Sequence, residues 1–145
     1  MIWVCVLLAV STFIGYVTRP AIGGWYSEIV RSDLTPPSYV FGIAWTILYC
    51  FIGAAGWLLW QQANVTVLKT LFLVQIILNW LWSPLFFLMH LAGWSLIVIV
   101  LLIVLVGVLI YKGYSTSRFF ALLMAPYWLW LLFALYLNAY IYHYN

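Results

Sequence analysis

Catalysis and metal binding need side chains that ionise, attack or ligate, and this 145-residue sequence holds few of them. Beyond Cys5 and Cys50, the candidate metal ligands are His90, His143, Glu28 and Asp33. None falls in a CxxC or HExxH pattern, and histidines at the ends of apolar runs are usually interfacial, so no metal site is expected. There is no nucleophile–base pair and no phosphate-binding loop. The cations Arg19, Arg31, Lys69, Lys112 and Arg118 are too sparse to track a phosphate backbone, so no nucleic-acid partner is expected. No Asp, Glu, Lys, Arg or His lies near the middle of an apolar run, which counts against conventional ion-coupled transport. What remains is aromatic and amide chemistry: ten tryptophans, with Gln75, Asn79 and Asn138 among them.

The elements that must position these groups follow from composition. Hydrophobic residues make up 69% of the chain and charged residues 5%, and the mean hydropathy is +1.18. A soluble fold of this size has no room to hide so much apolar surface, whereas a bilayer sets no such limit. Five stretches, roughly 2–18, 38–61, 66–90, 92–112 and 118–142, reach the ~20 helical residues that span a hydrocarbon core. They are too long and too uniformly apolar for barrel strands, and only a helix satisfies its own backbone in lipid. The expected fold is all-α, a multi-pass bundle of five transmembrane helices forming one domain over residues 1–145. The first run lacks a basic n-region and ends in Tyr16-Val17-Thr18-Arg19-Pro20 rather than a cleavage site, so it reads as a span, not a signal peptide. Both cysteines fall inside apolar runs and read as buried thiols.

Connections at Gln61–Thr66, His90–Gly93 and Lys112–Ser117 are tight turns. The link from about Arg19 to Pro37 is long, and it carries both carboxylates of the chain. Connections of that kind are more often lids than accidents. It closes on Pro36-Pro37, which stiffens the approach to the next helix. Five spans put the termini on opposite sides, with Lys69, Lys112 and Arg118 beside the N-terminus and Arg19 and Arg31 opposite. The positive-inside rule then points to a cytoplasmic N-terminus and an external long loop.

Inward faces in a membrane bundle are marked by small and polar side chains. The second span carries Gly42, Thr46, Cys50 and Ala54 at four-residue spacing, for which close helix packing is the preferred account, and Ser11 and Gly15 form a shorter patch on the first. Beside the small stripe runs a more aromatic one of Phe41, Trp45, Tyr49 and Gly53. The third span places Gln75, Asn79 and Trp82 on one face, then Phe86 and Phe87. The fifth aligns Tyr127, Trp130, Ala134 and Asn138. The amides should point inward and find hydrogen-bond partners. The fourth span, with almost no polar atoms, is expected to be the most lipid-exposed. Aromatic walls with a few amides suit a flat, largely apolar ligand. Periodicity alone leaves a pocket and plain packing as equal accounts.

Ordered motifs then carry a resemblance. Trp25-Tyr26, Pro36-Pro37, Phe41, Trp45-Thr46, Leu48-Tyr49, Gly53 and Trp57 are followed by Gln75, Leu78-Asn79, Trp82 and Phe86-Phe87. Pro126-Tyr127, Trp130, Phe133-Ala134 and Leu137-Asn138 complete the series. Together they resemble the TspO/translocator-protein family, the tryptophan-rich sensory or peripheral benzodiazepine receptor-like proteins. The resemblance implies a five-helix bundle, usually a homodimer, with a pocket capped by the first loop. It implies porphyrins such as protoporphyrin IX as ligands, with sterols in some members and synthetic benzodiazepine- or isoquinoline-type drugs, and no required cofactor. By motif, Trp45, Tyr49, Asn79, Trp82, Phe86, Trp130, Ala134 and Asn138 would line the pocket, with Trp25, Tyr26, Pro36 and Pro37 shaping the lid. Phe41 and Tyr127, on the same two faces, join the candidate ligand contacts.

Some bacterial relatives degrade porphyrin under light, which implies Trp45 and Trp130 as photochemical participants and makes a bacterial cell membrane the expected location. Two departures matter. The family's Lys-Pro after the Trp-Tyr pair is Arg31-Ser32 here, so the lid keeps a charge but loses a rigid residue. The chain ends Tyr140-Ile141-Tyr142-His143-Tyr144-Asn145, without the cation of the sterol-recognition pattern, which counts against tight cholesterol binding. The leading expectation is a membrane receptor or sensor for tetrapyrroles, and the alternative is a transporter or exporter of apolar metabolites.

Overall fold

A computed structural model describes residues 2–145, and they are helical almost throughout. Helix α1 spans Ile2–Gly23, a short α2 spans Trp25–Glu28, and α3 spans Ser38–Trp60. Helix α4 runs from Thr66 to Ser83 and opens into a π-helical turn at Pro84–Leu88, while α5 spans Ala92–Thr116 and α6 Arg118–Tyr144. Five of these segments, counting α4 with its π turn as one, are long and apolar enough to cross a membrane. The protein is a multi-pass all-α membrane bundle.

Helix boundaries depart from the hydropathy limits where polar residues continue a helix. Helix α1 does not stop at Thr18 but carries Arg19 and Pro20 through to Gly23, shortening the irregular part of the lid. Helix α5 runs past Lys112 to Thr116, leaving Ser117 as the junction, its hydroxyl capping α6 at the Phe120 N–H (3.3 Å). At both places the chain has reached the membrane boundary, where charged side chains are tolerated and the helix need not end.

The most exposed helix is α1, not the fourth span, α5, as its composition had suggested. Only Leu7 and Thr18 are buried on α1, whereas α5 buries Ser95, Val98, Ile99, Leu102, Val106, Leu109 and Gly113. Helix α5 lies between α4 and α6, and α1 sits at the edge of the bundle against α3. Apolarity does not distinguish a lipid-facing side chain from one facing another helix, because both surroundings are hydrocarbon. The cysteines are corrected for the same reason: Cys5 is exposed and Cys50 only half-buried.

Close helix contact on α3 also falls off the expected stripe. A Cβ added at Gly53 would lie 2.6 Å from Val4 Cγ2 and 2.8 Å from Val4 Cα, and one at Gly56 would meet the Phe72 ring at 2.9 Å. A Cβ added at Gly42, by contrast, would meet nothing within 4 Å.

A candidate ligand cavity under the lid

The π turn is the local feature that shapes the site. Pro84 has no N–H to return to the helix, and the Met89 N–H bonds back to the Pro84 carbonyl (3.0 Å), five residues earlier. The widened turn presents two successive phenylalanines to the lid. Phe86 stacks on Trp82 with centroids 5.1 Å apart, and Tyr26 meets both Phe86 (6.0 Å) and Phe87 (5.4 Å) edge-on. Trp25 contacts Phe86 at 5.6 Å and stacks on His90 at 4.3 Å. His90 has φ 55°, a left-handed residue that turns the chain out of α4.

The other edge of the lid is tied to α6. Ser32 shares a 2.8 Å hydrogen bond with the Tyr136 hydroxyl. The Asn145 amide pairs with the backbone of Val30 in both directions, accepting from its N–H (2.9 Å) and donating to its carbonyl (3.1 Å). Burial holds the Tyr26 phenol above its ordinary pKa, and the neighbouring Arg31 guanidinium offsets part of that rise.

Beneath the lid lies a cavity of about 880 Å³, inside the range of small-molecule sites, which is roughly 300–1,000 Å³. From the lid, Tyr26, Pro36 and Pro37 reach it, and from α3 come Phe41, Trp45 and Tyr49. Helix α4 and its π turn supply Asn79, Trp82 and Phe86, and α6 supplies Trp130, Ala134 and Asn138. The rings converge: Trp45 lies 5.4 Å from Tyr49 and 6.5 Å from Trp130, which in turn meets Phe41 at 5.9 Å. Of the residues singled out in the sequence, Trp25 and Tyr127 lie outside the lining. Trp25 braces the lid against His90, and Tyr127 is fully buried behind Asn79.

Two amide networks hold this wall. Tyr49 donates to Asn79 Oδ1, and Asn79 Nδ2 donates to the Tyr127 hydroxyl at 3.0 Å, joining α3, α4 and α6. Asn138 Oδ1 accepts from Trp82 Nε1 (3.2 Å) and Ser95 Oγ (2.8 Å), while its Nδ2 donates to the Ala92 carbonyl at 3.0 Å. Asn79 and Asn138 therefore meet the expectation for buried amides. Gln75 does not: it is fully buried, and neither of its polar side-chain atoms has a partner among the described residues. No physical account of Gln75 emerges from its surroundings.

Sequence reasoning missed one wall of the cavity. Ser11, Thr12, Gly15 and Thr18 of α1 line it, as do Gly42 and Thr46 of α3. Thr12, Gly15, Gly42 and Thr46 line the cavity and are classed as exposed, so no large side chain fills the space beside them. Small residues were the available signal, but they mark open space as readily as tight packing. His143 packs edge-on against Tyr144, apart from the His90–Trp25 stack.

Comparison with known proteins agrees with this geometry. Residues 2–143 match the TspO/MBR family. The chain is 36% identical to the tryptophan-rich protein TspO of Archaeoglobus fulgidus, over 96% of this chain and 92% of the relative. It is 33% identical to the tryptophan-rich protein TspO of Chlorobaculum tepidum, over 92% and 89% of the two chains. Against the translocator protein of Homo sapiens the figures are 31% identity, 79% of this chain and 70% of the relative. With its five apolar helices and these relatives along nearly its whole length, the chain belongs to the TspO/MBR family.

Proposed function

We propose that this protein is a membrane receptor that binds flat, largely apolar molecules, tetrapyrroles such as protoporphyrin IX, in the cavity beneath the lid. One observation carries the reading: Trp45, Trp82, Phe86 and Trp130 line a single cavity of ligand size. Aromatic faces stack on a conjugated ring, and the two amide networks keep those faces fixed before ligand arrives. In this reading the lid faces outward and the N-terminus the cytoplasm, supported by three basic residues, Lys69, Lys112 and Arg118, on the N-terminal side against two, Arg19 and Arg31, on the lid side. A homodimer in a bacterial cell membrane is the assembly to test by cross-linking.

Titration with protoporphyrin IX in darkness should quench tryptophan fluorescence saturably, and the absence of saturation would remove the tetrapyrrole reading. Illumination then tests for photochemistry. If Trp45 and Trp130 take part, Trp45→Phe and Trp130→Phe should abolish light-dependent porphyrin loss while leaving the helical content intact. Turnover that survives both substitutions would sink the tryptophan mechanism.

A second reading, transport of apolar metabolites, draws on the small, exposed residues that α1 and α3 contribute to the cavity wall, Gly15, Gly42 and Thr46 among them. Flux of protoporphyrin IX into sealed vesicles containing the protein would support it, and saturable binding without flux would reject it.

A further inference from the structure

The cavity has a single charged side chain in its lining, Arg31. It sits in the lid between α2 and α3, exposed at the mouth, with its guanidinium carbon 5.2 Å from the centre of the Tyr26 ring. That ring is itself wedged against Phe86 and Phe87, so the cation rests on a fixed aromatic surface. The only side-chain carboxylates in the chain are Glu28 and Asp33. Neither lines the cavity, and no ion pair forms among the described residues. The remaining polar lining near the mouth consists of hydroxyls, from Ser32, Thr35 and Ser38.

A guanidinium laid on a ring still offers its N–H edge, a planar fork that matches a carboxylate. An arginine that only needed hydration would not have to be seated at the rim of an apolar cavity.

We propose that Arg31 reads the charge of the ligand: the cavity takes an amphiphile whose apolar body lies among Trp45, Trp82 and Trp130 and whose carboxylate is held at the mouth by Arg31. This rests on the cavity being the ligand site. It adds which residue holds the acid group, and that the ligand lies with its charged end toward the lid. The mouth is partly open to water, so the preference is modest, roughly five- to tenfold in affinity.

The test compares protoporphyrin IX with its dimethyl ester, titrated in darkness against the full chain in an uncharged detergent at neutral pH. The diacid should bind the unaltered protein roughly five- to tenfold more tightly than the diester. Arg31→Gln should weaken the diacid to the level of the diester and leave the diester unchanged, and Arg31→Lys should restore part of the difference. Equal binding of acid and ester to the unaltered protein overturns the proposal but leaves the cavity reading intact. Equal weakening of both by Arg31→Gln also overturns it, since Arg31 would then act by holding Tyr26 and the lid. An unchanged diacid affinity in Arg31→Gln would direct the cation to lipid headgroups instead, again overturning it. Should neither porphyrin bind, the tetrapyrrole reading falls separately, and the same comparison is made with 1-pyrenebutyric acid and its methyl ester. Tighter binding of that acid, abolished in Arg31→Gln, sustains the proposal, and no such difference ends it.

Discussion

The two ends of the α1–α3 pair are built oppositely. At one end Val4 presses onto Gly53, so closely that a single added carbon would stand 2.6 Å from its side chain. Eleven residues further along α1 and eleven earlier along α3 lie Gly15 and Gly42, about 16 Å away along the helices. There a Cβ added at either glycine would meet no atom of a neighbouring helix within 4 Å. Both ends use glycine, but one buries its backbone against a neighbour and the other borders a cavity. Besides α3, helix α1 also packs on α2 and the π turn. A bundle closed at one end and parted at the other can therefore keep a cavity without losing its packing.

That comparison predicts opposite signs for one chemical change. The largest effect should come from Gly53→Ala: the obstructing atoms include the Val4 backbone, so the helices must part, and the expected loss is about 1–3 kcal/mol. It would be read as a lower thermal midpoint in detergent, and an unchanged midpoint would mean the closed end is not closed. Next, Asn138→Leu leaves Trp82 Nε1 without its acceptor and unties α6 from Ser95 and Ala92, which keep the hydrogen bond between them, at a cost of about 1–3 kcal/mol. Stability equal to the unaltered protein would show that the network does not brace the cavity wall. Smallest is Gly42→Ala, which meets open space and replaces a poor helix former by a good one. It should stabilise by about 0.5–1 kcal/mol. Destabilisation there would show that the two helices meet at that level after all.

Much of the fold was legible in the residues. Length and apolarity of the runs predicted five spans, and the start of α3 at Ser38 follows from Pro36-Pro37. The positions of Trp45, Trp82, Trp130, Asn79 and Asn138 on inward faces followed from helical period, since an amide in hydrocarbon must find a partner. The exposure of α5 was misread because its apolar side chains suit lipid and protein interior equally. The open wall at Ser11, Gly15, Gly42 and Thr46 was hidden because a small residue carries no information about whether a neighbour fills the space beside it. The π turn at Pro84–Leu88 and the pairing of Asn145 with Val30 left no periodic trace at all.

By itself the sequence determined the solvent, the number of helices, the family and the inward aromatic and amide faces of α3, α4 and α6, because each depends on composition and period summed over many residues. Only the tertiary structure decided that α1 and α3 part above Val4 and Gly53, that the lid is braced by Trp25 on His90 and by Asn145 on Val30, and that Arg31 stands at the mouth. Those features depend on distances of a few ångströms between segments remote in the chain, and contacts of that kind are set by how whole helices lean on one another.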